Sequence, residues 1–249
     1  MSDALIALAF FLCLAGAAFG ALFINARLPE RHRAQDTSNV VRLCAGIFVV
    51  MTSLVLGLMV TSAKSTFESV DKNLHAYATE LILLDRTLRY YGPETAEARR
   101  QLLTYVKQAA ARMAQSDPVL SSRSAESLLN DVAFSMRSLK PADPQHAALL
   151  LRAEQRFETA YEMRWTLVEQ SEGTIPFPLI ALVGAWLVLI FASFGYCAPR
   201  NAVVIASLFV SALLIAGAIY LILDMDGPFD GTIQVSPAPL DRVVAELER

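Results

Sequence analysis

The sequence predicts an all-α membrane protein: four transmembrane helices, with a helical-bundle insert between the second and the third. Three observations carry that expectation. Four stretches, Ala4–Ala26, Leu43–Ala63, Gly173–Pro199 and Asn201–Leu223, contain no Asp, Glu, Lys or Arg and make up 94 of the 249 residues. Each is as long as a spanning helix, which needs about 20 apolar residues, and none alternates in polarity as a barrel strand would. The segment between the second and third stretches, Lys64 to Glu172, carries 14 basic and 15 acidic residues on a helical apolar period. A chain that is 55% hydrophobic and 18% charged, with the two so unevenly distributed, is neither a simple soluble globule, a disordered segment nor a disulfide scaffold.

The first span is placed at Leu5–Asn25. The residues before it are Met-Ser-Asp, and the basic residues Arg27, Arg31, Arg33 and Arg42 follow it. A cleavable signal has the reverse arrangement, so the segment is expected to persist as a span. The other three are placed at Leu43–Ser62, Phe177–Cys197 and Ala202–Asp224. Short loops rich in Arg and Lys stay in the cytoplasm. The loop after the first span and the turn Pro199-Arg200-Asn201 are therefore expected inside. Both termini and residues 63–176 are then expected outside, in the periplasm if the membrane is a bacterial inner membrane.

The insert opens on a heptad seam. Phe67, Val70, Leu74, Tyr77, Leu81, Leu84, Leu88 and Tyr91 follow one another at steps of three and four. No Gly or Pro lies between Gly57 and Gly92, so the second span and the seam are expected to form one helix from about Val41 to Tyr91, roughly 75 Å long. The seam is either buried inside the insert or forms a contact between subunits. Gly92-Pro93 ends this helix. A second helix is expected from Glu94 to about Gln115, with Leu102, Leu103, Val106, Ala110 and Met113 on its apolar face. Asp117-Pro118 is a turn. A third helix runs over about Ser124–Leu139, with Leu128, Leu129, Val132 and Met136 on one face. Asp143-Pro144 then reads as an N-cap followed by proline in the first turn, starting a helix to about Ser171 along which Phe157, Tyr161 and Trp165 stack. After the fourth span, Ser236-Pro237 starts a short amphipathic helix with Leu240, Val243, Val244 and Leu247 on one face. It either packs on the bundle or lies on the membrane surface. The expected domains are 1–62, a first transmembrane hairpin; 63–176, an extracytoplasmic bundle; 177–224, a second hairpin; and 225–249, a turn and the short helix.

The chemical inventory points away from catalysis. His32, His75 and His146 are scattered, and Cys13, Cys44 and Cys197 sit in spans as small apolar residues. No zinc pair, phosphate loop, nucleophile elbow or dinucleotide fingerprint is present, and no basic stripe suits nucleic acid. No cofactor or metal site is expected. The spans carry no ionisable residue in their middles, which argues against a proton-coupled pump or carrier and leaves a channel open. Thr52, Ser53, Ser207 and Ser211 are candidate pore or helix-packing hydroxyls, and Gly16 and Gly20 form a small-residue packing pair. Asp224, Asp226 and Asp230 crowd the outer end of the fourth span. In a ring of subunits they would form a cation-attracting collar. Carboxylates at a helix C-terminus are disfavoured, so these are expected to need a cation or an Arg partner.

Several stretches resemble the bacterial bestrophin-like family. They are Phe191-Ala192-Ser193-Phe194-Gly195, Ala198-Pro199-Arg200-Asn201-Ala202, Leu221 through Gly231, and Ser236-Pro237-Ala238-Pro239-Leu240. In the insert, Leu84-Asp85-Arg86-Thr87-Leu88 and Tyr91-Gly92-Pro93-Glu94 resemble the family's motif. The likeness covers about Val40 to Leu240. It implies kinship with bestrophins, which are pentameric chloride-conducting channels. This sequence has no basic residue within a span, and no bestrophin pore residue is carried over. The leading expectation is a homo-oligomeric ion channel of the bacterial inner membrane, whose partners are the lipid bilayer and copies of itself. The alternative is a membrane-anchored periplasmic sensing or binding module, or an assembly scaffold, acting through an unidentified membrane or periplasmic protein.

Overall fold

The computed structural model describes residues 3–25, 27, 35–113, 123–171, 173–229 and 231–249. Its helices are α1 (Asp3–Asn25), α2 (Gln35–Tyr91), α3 (Ala96–Met113), α4 (Arg123–Arg137), α5 (Pro144–Glu169), α6 (Phe177–Cys197), α7 (Ala202–Asp226) and α8 (Ala238–Leu247), with a short 3-10 turn at Pro93–Thr95. The described residues contain no strand. Four helices, α1, α2, α6 and α7, are long and apolar enough to cross a membrane. The seam and the second span do form one helix, since α2 runs unbroken for 57 residues. The chain divides into two units, residues 1–65 with 174–226, and residues 66–173 with 227–249.

The first unit is built on α1, α6 and α7. Leu14 and Ala18 of α1, Val183, Leu187 and Phe191 of α6, and Ala212 and Ile219 of α7 share one buried cluster. Close approach comes from small residues, because lipid offers no hydrophobic drive between helices. A Cβ on Gly195 would collide with the Ala18 backbone carbonyl, so α1 and α6 meet where only glycine fits. At one end of this trio, Arg200 donates to the carbonyls of Leu22 (3.0 Å) and Phe23 (3.1 Å). These are last-turn carbonyls of α1 with no partner inside the helix, and a cation suits a helix C-terminus. Asn25 donates to the Tyr196 carbonyl at 2.7 Å, and the Asn201 side chain accepts from Val204 N–H at 2.8 Å to cap α7. The membrane half of α2 gives this unit a single stripe: Ala45, Thr52, Met59 and Ala63 are buried. Cys13 and Cys44 are not core residues as expected; protein leaves both uncovered.

The second unit encloses the seam. Val70, Leu74, Tyr77, Leu81, Leu84, Leu88 and Tyr91 are buried, and all but Tyr91 belong to one cluster with residues of α3, α4, α5 and α8. The seam is therefore satisfied inside the protomer. The turn after α2 needs its glycine: Gly92 has φ +128°, a conformation other residues rarely adopt. Thr95 fastens the turn by donating to the carbonyl of Leu88 (2.6 Å). On α3, Leu102, Val106 and Ala110 are buried as expected, joined by Tyr105 and Ala109. On α4, Leu129, Val132 and Met136 are buried. The turn expected at Asp117-Pro118 lies outside the described residues. Asp143 caps α5, accepting from the N–H groups of Gln145 and His146 at 2.8 Å each. The short C-terminal helix packs in this unit: Leu240, Val243 and Leu247 join its core.

Candidate functional site

Three places carry the polar chemistry of the described residues, one in the membrane unit and two in the insert unit.

In the membrane unit the expected acidic collar is not a solvated one. Asp224 and Asp226 are buried, at 1% and 5% exposure. The Asp226 carboxylate accepts from the Thr174 hydroxyl at 2.7 Å and from Ile175 N–H at 3.0 Å. The compensation expected from a cation or an Arg comes for Asp226 from the segment leading into α6. Its backbone N–H and hydroxyl tie the end of α7 to the start of α6. Asp230, the third collar residue, lies outside the described residues, as does His32. Within the protomer the packing pair of the first span, Gly16 and Gly20, is not used. A Cβ on Gly16 or Gly20 would meet nothing within 4 Å, and the close contact is made by Ala18 and Gly195 instead. Ser53, Ser207 and Ser211 are all exposed. Thr52 is buried, and its hydroxyl finds no hydrogen-bond partner among the described residues.

The first insert site explains the motif around Asp85. This carboxylate is buried. It accepts from Arg99 Nε at 2.7 Å and from Arg89 Nη2 at 3.0 Å. Arg89 sits one turn along the same helix and Arg99 lies on α3, so Asp85 locks α2 to α3 just before the Gly92 turn. Glu246 brings α8 to the same place, since its carboxylate lies 3.9 Å from Arg86. Lys107 on α3 pairs with Glu248 at 2.6 Å. The motif is a structural junction of three helices. Tyr91 closes it with an edge-on contact to the His146 ring, 5.1 Å between centroids.

The second insert site surrounds Arg164. The side chain is fully buried on α5; its guanidinium nitrogens make no hydrogen bond of good geometry among the described residues, and the Tyr105 hydroxyl lies against it. At the same level the hydroxyls of Tyr77 and Tyr105 lie 2.7 Å apart, in a bond that either can donate. Burial pushes the Tyr105 hydroxyl above the ordinary tyrosine range, with the nearby Arg164 charge pulling the other way. Tyr105 therefore stays protonated and supplies no negative charge. Two cross-links fix the α2–α5 register on either side: Asn73 donates to Gln170 at 2.8 Å, and Arg156 donates to Glu80 at 2.8 Å. Nothing in the sequence marks Arg164 as buried, because a charged residue beside an aromatic stripe ordinarily faces solvent. Phe157, Tyr161 and Trp165 do contact one another ring to ring, but they flank the core and Trp165 is 45% exposed. The buried stripe of α5 is Ala153, Ala160, Arg164 and Leu167. Beyond it, a groove between α4 and α5 is lined by Asp131, Glu154, Glu158 and Glu162 with Phe134 and Tyr161. No group of three or more His, Cys, Asp or Glu among the described residues could hold a metal.

Comparison with the curated proteins gives no match. The family comparison does: residues 12–240 match the model of the bestrophin-like domain. That span contains all of α2 to α7, with Asp85, Arg164 and the Asp226 clasp, so this multi-pass, all-α membrane protein belongs to the bestrophin-like family.

Proposed function

We propose that the protein is the subunit of a homo-oligomeric ion channel in the bacterial inner membrane, with its insert and both termini on the periplasmic side. One observation carries the proposal beyond family membership: the membrane half of α2 commits a single stripe to its own protomer. Ala45, Thr52 and Met59 recur at seven-residue steps and are buried. The opposite face, Leu43, Ile47, Val50, Leu54 and Leu58, is uncovered, each residue at least 60% exposed. Between the two faces lie Gly46, Ser53 and Gly57, at i, i+7 and i+11. A Cβ on either glycine would meet nothing within 4 Å. Small residues let a second helix approach closely, and a hydroxyl on such a face can line a water-filled path. A ring of copies would bring these faces together and close by rotation.

Subunit counting and ion flux test the proposal on one preparation, the full chain in nanodiscs and in liposomes. A ring of four or more that passes ions is the expected result, with flux cut at least several-fold by Ser53→Leu or Gly57→Leu. A monomer or dimer without flux would overturn it. The sensing alternative is favoured by a different observation, the Arg164 site.

A further inference from the structure

Arg164 presents a charge problem that the described residues leave unsolved. A guanidinium keeps its proton under all ordinary conditions and carries five N–H donors with no acceptor. Here it is fully buried, its nitrogens make no hydrogen bond of good geometry among the described residues, and the polar group held against it, the Tyr105 hydroxyl, is neutral. The carboxylates that flank its level on α2 are committed elsewhere, Glu80 to Arg156 and Asp85 to Arg99 and Arg89. The Trp165 ring, 5.1 Å from the guanidinium carbon, offers only its π face. The Tyr77–Tyr105 pair consumes one O–H in its own bond and leaves the other free. The tyrosine oxygens can accept from the guanidinium but are neutral, so among these groups no negative charge faces Arg164. What satisfies such a set is an acceptor bearing one negative charge.

We propose that the insert binds a small monovalent anion, a halide or a planar oxyanion such as nitrate or formate, between Arg164 and the Tyr77–Tyr105 hydroxyls. One guanidinium balances one negative charge, which disfavours divalent ions. Leu74, Leu81 and Leu167 belong to the same core and are 0–1% exposed, which excludes bulky ligands. The anion would tie α2, α3 and α5 together at the middle of the insert, so its arrival would stiffen that unit. The inference does not depend on ion conduction. A chain that forms no channel would still bind the anion, and a conducting channel without the site would still conduct.

Thermal unfolding of the full chain in nanodiscs tests it. Chloride, nitrate or formate replaces gluconate at constant ionic strength, with sulfate as the divalent control. A ligand that binds only the folded state raises Tm with its concentration. The expected result is a saturable rise of several degrees for the wild type with the small monovalent anions, and none with sulfate. Arg164→Met should be at least as stable as the wild type in gluconate, since it removes an unpaired buried ion, and should show no rise. Tyr105→Phe and Tyr77→Phe should shift half-saturation upward several-fold. An anion-independent wild type, or an equal rise in Arg164→Met, would overturn the proposal. If Arg164→Met does not fold, unchanged half-saturation in both tyrosine variants would overturn it.

Discussion

The two units solve the same packing problem with different materials. The insert unit is cross-linked by its own polar side chains: Asp85 with Arg99 and Arg89, Glu80 with Arg156, Asn73 with Gln170, and Tyr77 with Tyr105. Its core leucines are closed off by protein. The membrane unit places its few polar links at helix ends, Arg200 and Asn25 at one end of the helix trio and Asp226 at the other. Along their lengths the spans meet through apolar side chains, with the closest approach at Ala18 and Gly195, and many of their large apolar side chains remain uncovered. The contrast follows from the solvent each unit meets. Water makes an exposed leucine costly and a surface charge cheap. Lipid makes the leucine free, and polar groups must be partnered.

Asp85→Ala should produce the largest loss and would break the comparison most directly. It leaves two guanidinium groups at a junction of three helices, and removing one member of a buried ion pair costs about 3–5 kcal/mol. Denaturant unfolding of the purified chain checks this; a loss under 1 kcal/mol would mean that the insert is held by apolar packing alone. Gly195→Val comes next. Its side chain would have to displace the Ala18 backbone, and overpacking of that kind costs about 3 kcal/mol. Gly16→Val, with open space around it, should be neutral for the stability of the single protomer. Equal effects at both glycines would show that the membrane unit is not held together at Ala18 and Gly195. Asp226→Ala should cost about 1.5–3 kcal/mol, the range for hydrogen bonds to a charged group. It should leave any ion selectivity unchanged, because the carboxylate is turned into the protein. The smallest effect is expected at Asp143, whose carboxyl is held below the usual range by the N–H and ring of His146. A depressed carboxyl stabilises the fold above its unfolded value near 3.9 and loses that contribution as pH falls through the lower folded value. The Tm deficit of Asp143→Ala, clear at pH 7, should therefore shrink as the pH is taken below the ordinary carboxylate range.

Much of this was legible in the chain. Uncharged runs place the four spans because the bilayer core imposes one length and one polarity. The heptad steps of α2 place its buried face because a helix cannot hide alternate residues. Asp143-Pro144 announces a helix start through local geometry alone. What escaped depends on contacts between distant segments. Asp226 looks like an exposed acid until Thr174 and Ile175 are brought to it. Gly16 and Gly20 satisfy a packing pattern whose partner the sequence does not name, and within the protomer nothing lies within 4 Å of a Cβ at either. Arg164 occupies a core position that any hydrophobicity scale would assign to solvent, one residue away from a conspicuous aromatic stripe.

The place of α8 has a consequence for synthesis. Leu240, Val243 and Leu247 complete the insert's core, yet about 65 residues separate the end of the insert segment at Gly173 from Ala238. At about 5–20 residues per second, the ribosome needs roughly 3–13 s to make them. During that interval the bundle waits with part of its apolar surface uncovered, while the last two spans are being inserted. Folding of the insert is thereby coupled in time to membrane integration. A ribosome that stalls after α7 would leave a chain whose spans are complete and whose bundle offers a sticky, unfinished face to chaperones and proteases.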